Sequence, residues 1–150
     1  MMGEAETHKT ASGQVPVAAK RASGRPWLLG ALGWAVPGLG HLLLKKFDRA
    51  LVFSISIIVM GGLGLAMGGK LYAPPFARSQ GLFVALLHFL GFLGDLGAGV
   101  MFFVAELAGW GRIYMDRALG DYGTVFFLCA GILNLLTALD AYDIAVGKKE

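Results

Sequence analysis

Four apolar windows decide what this chain can fold into. Residues 27–44, 50–69, 81–105 and 122–139 contain between them a single Asp, Glu, Lys or Arg, Asp95, although the 150-residue chain holds 13 basic and 10 acidic side chains. A water-soluble core has no need to clear charge from segments this long. A hydrocarbon layer of about 30 Å does: it requires about 20 apolar helical residues at about 1.5 Å each. Backbone groups facing lipid must also be paired within their own segment, so helices are the expected form of every window. Composition points the same way, with 56% hydrophobic residues, a mean hydropathy of +0.65 and only 15% charged residues, against about 25% in soluble proteins. A disulfide framework is excluded because Cys129 is the one cysteine. The expected architecture is an all-α, polytopic membrane bundle of four transmembrane helices.

The polar remainder organises the chain. Residues 1–25 are rich in Ala, Gly, Ser and Thr, lack an apolar run, and read as a flexible polar tail with no signal-peptide core. Residues 26–147 form a single transmembrane domain in this reading, and 148–150 a charged end. The tail cations Lys9, Lys20, Arg21 and Arg25 suit anionic lipid headgroups better than nucleic acid, because no folded basic face or aromatic interleaving accompanies them. The distribution of Lys and Arg puts the N-terminus in the cytoplasm.

The windows are not equivalent. Segments 50–69 and 122–139 have the length and uniformity of spans. Window 27–44 offers ten residues before Pro37, then Pro37-Gly38-Leu39-Gly40, the poorest helix formers in succession. It is either a kinked span or a re-entrant hairpin, which leaves three spans as the alternative architecture. Window 81–105 carries Asp95 at a cost of about 2.5–3.5 kcal/mol, outweighed by fourteen Leu, Val and Phe at about 0.3–0.6 kcal/mol each. It reads as one long, tilted helix. The stretch after it, with Trp110, Tyr114, Tyr122, Arg112 and Arg117, reads as an interfacial belt. No internal repeat is evident.

Several constellations could carry chemistry. His88, Asp95 and Glu106 are separated by 7 and 11 residues, which on a continuous helix aligns them in one stripe about 27 Å long. Such a stripe serves as a proton or ion path, or else as a structural seam whose carboxyl pairs with a neighbouring helix. Asn134, flanked by the small residues Ala130 and Ala138, is the candidate partner for Asp95. Gly64, Gly68, Gly91 and Gly99 are candidate helix-packing positions. The break Pro37, Gly38, Gly40, His41 could line a small polar cavity. His41 and His88 as haem ligands have no supporting pattern, so no cofactor or metal is expected. Catalytic motifs are missing too, and the expected protein is not an enzyme.

Residues 27–69, with Pro37-Gly-Leu-Gly-His41 and the turn Lys45-Lys46-Phe47-Asp48-Arg49 between two apolar segments, resemble the two-transmembrane domain of small bacterial membrane proteins. Leu42-Leu43 stands where that domain favours an aromatic pair. Residues 27–149, with Tyr122-Gly123, Asn134-Leu135-Leu136 and Leu139-Asp140-Ala141-Tyr142-Asp143, resemble an uncharacterised family of bacterial integral membrane proteins that share Pro-Gly-x-Gly-His. The resemblance implies a compact bundle of unknown activity in a bacterial inner membrane and supplies no catalytic residues. The leading expectation is a small scaffold or accessory subunit whose glycine-lined faces pack on a second copy or a larger membrane partner. The alternative is a small transporter or proton-conducting module using His88, Asp95 and Glu106.

Overall fold

The computed structural model describes residues 25–72, 81–110 and 118–148; the polar tail and most of the interfacial belt lie outside them. Six helices account for most of the described residues: α1 (Pro26–Ala35), α2 (Leu39–Leu43), α3 (Phe47–Ala66), α4 (Leu82–Gly97), α5 (Val100–Leu107) and α6 (Ala118–Val146). Pro26 opens α1 at its first turn, where a missing N–H costs nothing. Pro37 forces Val36 into extended geometry at φ −124° and ψ 118°, which stops the helix. Gly38 then turns at φ +79°, and its carbonyl neighbour is anchored when Ser54 Oγ donates to Pro37 O at 2.8 Å.

After this turn the chain doubles back. A Cβ on Gly33 would lie 3.4 Å from the Gly40 Cα, and one on Gly40 would lie 3.0 Å from the Leu29 carbonyl. Helices α1 and α2 are thus a hairpin, and the kinked-span alternative for window 27–44 is corrected: ten residues reach only about 15 Å, half of a hydrocarbon layer.

Window 81–105 also departs from expectation. It is not one helix but two, α4 and α5, bent by 105° at Ala98-Gly99, with Gly99 at φ +62°. Two helices, α3 and α6, are long and apolar enough to cross a membrane, or three if the bent pair counts as one span. Four spans are not what the described residues contain.

Helix α6 is the axis on which the rest is hung. Along α1, Gly30 faces Tyr142, Gly33 faces Ala138 and Trp34 meets Asn134, so α1 descends antiparallel to the second half of α6. Along α3, Gly61 faces Ala130 and Gly64 faces Phe127, again antiparallel. Along α4, Gly94 faces Leu128 and Gly97 faces Gly131, so α4 runs parallel to the first half of α6. Because the chain must regain the start of α6 after α5, the α4–α5 pair enters and leaves by the same end. The fold is therefore hairpin then long helix, twice, with the two hairpins entering from opposite ends. No repeat was evident in the sequence, yet each hairpin turns at a Gly-x-Gly, 38–40 in one and 97–99 in the other.

The packing is inside out relative to a soluble protein. Large apolar side chains such as Leu51, Ile55, Ile58, Phe83, Leu90 and Leu136 face outward, while the buried set is mostly small residues with His41, Asp95, Asn134 and Thr137. Helices can approach this closely only where side chains vanish: Gly97 meets the Gly131 carbonyl and Gly64 meets that of Gly123. A smaller apolar cluster of Leu71, Phe102, Ala105 and Phe127 seats α5.

Candidate functional site

The hairpin tips meet beside Asn134, near the middle of α6. Its side-chain amide nitrogen donates to Trp34 O, in the last turn of α1, at 2.7 Å, and to Gly97 O, the last residue of α4, at 2.9 Å. The Trp34 indole crosses the junction to donate to Leu96 O at 3.1 Å. Gly99 is pressed beneath the carbonyls of Trp34 and Ala35, with no room for a side chain. Two half-helices from opposite ends thus stop C-terminus to C-terminus, with their last carbonyls crowded around one neutral amide. Each helix C-terminus carries about −0.5 of an elementary charge, partly offset here by the start of α5.

Two buried oxygens near this level lack hydrogen-bond partners among the described residues, Asn134 Oδ1 and Asp95 Oδ1. Both residues are 0% exposed. A buried acceptor left unmade costs about 1–3 kcal/mol, so these two atoms are where the interior is least satisfied. Thr137 Oγ1, one turn away, lies 2.9 Å from Leu133 O and 2.8 Å from Asn134 O, folded back on its own helix.

The predicted partners rearrange. Asp95 does not bond Asn134; its Oδ2 accepts the Tyr72 backbone N–H at 2.7 Å, from the segment that follows α3. The Tyr72 ring covers Gly91 and stands edge-on to His88 at 5.8 Å between centroids. His88 Nδ1–H donates to Val84 O at 2.9 Å. Hence His88 and Asp95 share a side of α4 and a neighbour, while Glu106 falls beyond the 105° bend on α5 and is exposed. The continuous stripe of three does not exist.

The other singled-out positions take distinct places. Gly64 and Ala130 lie in the α3–α6 contact, and Ala138 opposite Gly33 of α1. Gly68 sits at φ +76° and caps α3, with Gly68 N–H donating to Leu65 O and Gly69 N–H to Gly64 O, both at 3.0 Å, so it ends a helix and does not mediate a helix crossing. His41 is 1% exposed and its Nε2 lies 3.0 Å from Asp140 Oδ2, with Phe53 tilted against the imidazole at 5.3 Å. Sequence reasoning missed Trp34 and the His41–Asp140 pair. A tryptophan three residues before the break was the available signal for the first.

Two grooves flank the bundle. One of about 680 Å³ runs between α4 and α6 from Lys70 and His88 to Gly94 and Leu135. The other, about 490 Å³, runs between the first hairpin and α3 from Asp48 to Val36 and Ile58. Neither groove is lined by Trp34, Gly97 or Asn134. Among the described residues no cluster of three His, Cys, Asp or Glu could hold a metal ion.

A family of unknown function, DUF6677, matches residues 28–150. The chain belongs to that family. No curated protein and no solved structure matches it.

Proposed function

We propose that this chain is an integral membrane protein that conducts a small cationic species, a proton or an alkali ion, through the buried junction of its two hairpins at Asn134. The observation that carries this reading is the pair of half-helices entering from opposite ends and terminating carbonyl-first at one buried amide. Broken helices at corresponding positions of two oppositely oriented halves are how membrane transporters expose polar backbone only inside the protein, at mid-depth. Asp95, the one fully buried acid among the described residues, places a carboxyl in the last turns of α4.

In this reading α3 and α6 span the membrane and both hairpins re-enter. The termini and the turn around Lys45 then share one face with nine of the 13 lysines and arginines, a bias that supports a cytoplasmic placement of that face. The leading expectation from the sequence, a scaffold, drew on glycine-lined faces that pack on one another or on a partner. Gly64, Gly97, Gly123 and Gly131 are spent on contacts within the chain, which favours conduction over association.

The test is flux. Purified protein in proteoliposomes is expected to pass protons or alkali cations above protein-free vesicles, and Asp95→Asn to cut that flux at least tenfold. A wild-type protein indistinguishable from empty vesicles for H⁺, Na⁺ and K⁺, or an unaltered Asp95→Asn flux, refutes it.

A further inference from the structure

We infer that the hairpin junction is a binding site for a single dehydrated alkali cation, coordinated by Trp34 O, Gly97 O and Asn134 Oδ1, and that the Asn134 amide turns over to form it. The inference deepens the conduction reading and rests on it for its role, though binding is measurable by itself. In the structure the amide nitrogen lies 2.7 and 2.9 Å from two helix-terminal carbonyl oxygens. An N–H₂ group in that position is a positively polarised partner that keeps two carbonyls from facing each other unpaired, the same electrostatic role a cation would fill.

The same amide also carries an oxygen. Asn134 Oδ1 is fully buried and has no hydrogen-bond partner among the described residues. Carbonyl and amide oxygens differ from amide nitrogen only in polarity at this scale. Rotating the amide by half a turn exchanges Oδ1 and Nδ2 without changing the shape of the side chain. Oδ1 then joins Trp34 O and Gly97 O, and three neutral oxygens converge on one point. The neighbouring Ala35 carbonyl, which also presses on Gly99, is within the same turn.

The ligand chemistry selects the ion. Backbone and amide oxygens favour hard cations. A divalent ion held by protein oxygens usually draws on carboxylates, and no cluster of three acidic or histidine side chains exists among the described residues. A monovalent ion needs only the polarity of two helix ends and the one buried acid, Asp95. Sites where half-helix C-termini and unwound carbonyls meet at mid-depth bind such ions elsewhere in membrane proteins.

The experiment is a thermal unfolding series on the full-length protein in lipid nanodiscs, read by tryptophan fluorescence, in NaCl, KCl or choline chloride at equal ionic strength. The site predicts a Tm that climbs with the concentration of Na⁺ or K⁺ and stays level in choline, as mass action requires for a ligand of the folded state. Asn134→Asp at pH 8 puts a full negative charge on the amide's position. It is expected to lower the half-saturating alkali concentration at least tenfold while losing stability in choline. Equal Tm in all three salts for the wild type overturns the site, and does so even where the variant fails to fold. An Asn134→Asp protein that loses the same stability in every salt overturns it as well, since Asn134 is then only a strut. Flux without alkali-dependent stability refutes this site and leaves conduction standing; alkali-dependent stability without flux refutes conduction and leaves the site.

Discussion

Replacing Gly131 and Gly62 each by alanine is expected to move stability in opposite directions, although both lie within long apolar helices. At Gly131 a Cβ would be driven into the Gly94 carbonyl and would come within 2.9 Å of the Ala98 nitrogen and 3.0 Å of the Gly94 carbon. All three are backbone atoms, so no side chain can swing away and α4 itself must retreat. Overpacking of this kind costs about 1–3 kcal/mol. Retreat of α4 also pulls Gly97 O from Asn134, now 2.9 Å away, adding about 1–3 kcal/mol for a buried carbonyl left unpaired. Against this, alanine gains up to about 1 kcal/mol of helix propensity. The net expectation for Gly131→Ala is a loss of about 2–4 kcal/mol. At Gly62 nothing lies within 4 Å of the added carbon, so only the propensity gain of up to about 1 kcal/mol remains. Reversible unfolding in bicelles, followed by steric trapping or by denaturing detergent, measures both. A Gly131→Ala protein as stable as Gly62→Ala would refute the backbone contact between α4 and α6, and with it the placement of the second hairpin.

The pair at the other end of α6 gives a graded test. His41→Ala removes a 3.0 Å bond to Asp140 and the ring contact with Phe53, for an expected loss of about 2–4 kcal/mol. Asp140→Asn keeps an acceptor and is expected to cost under about 1 kcal/mol; the same unfolding assay finding the two equal would exclude the pair as the cause. The two-span topology predicts that a C-terminal green fluorescent reporter glows in bacterial cells and that a C-terminal alkaline phosphatase stays inactive. The reverse pattern would mean an odd number of crossings.

Much of the fold could be read from where charge is absent. Segments 50–69 and 122–139 correspond to α3 and α6, and the stop at Pro37 follows from proline's missing donor and its effect on Val36. The second break was harder to see. Window 81–105 contains no proline, and fourteen large apolar residues mask the turn at Gly97-Ala98-Gly99. Reading the window as a continuous helix carried the period of 3.6 across that turn and attached Glu106 to a stripe it does not join. Asn134 stood out as an amide among small residues, yet its partners are backbone carbonyls of helices that end there, and helix ends were what the periodicity could not locate. The glycines were legible as packing positions, but what packs on them was not, because periodicity reports which residues share a face and not what covers it.

The tips of the two hairpins are joined to each other as well as to α6. The Trp34 indole grips Leu96 O on the far tip, and Gly99 lies wedged under the carbonyl of that same tryptophan. Neither tip can withdraw without breaking its hold on the other, so the two hairpins and the middle of α6 are fastened at a single knot.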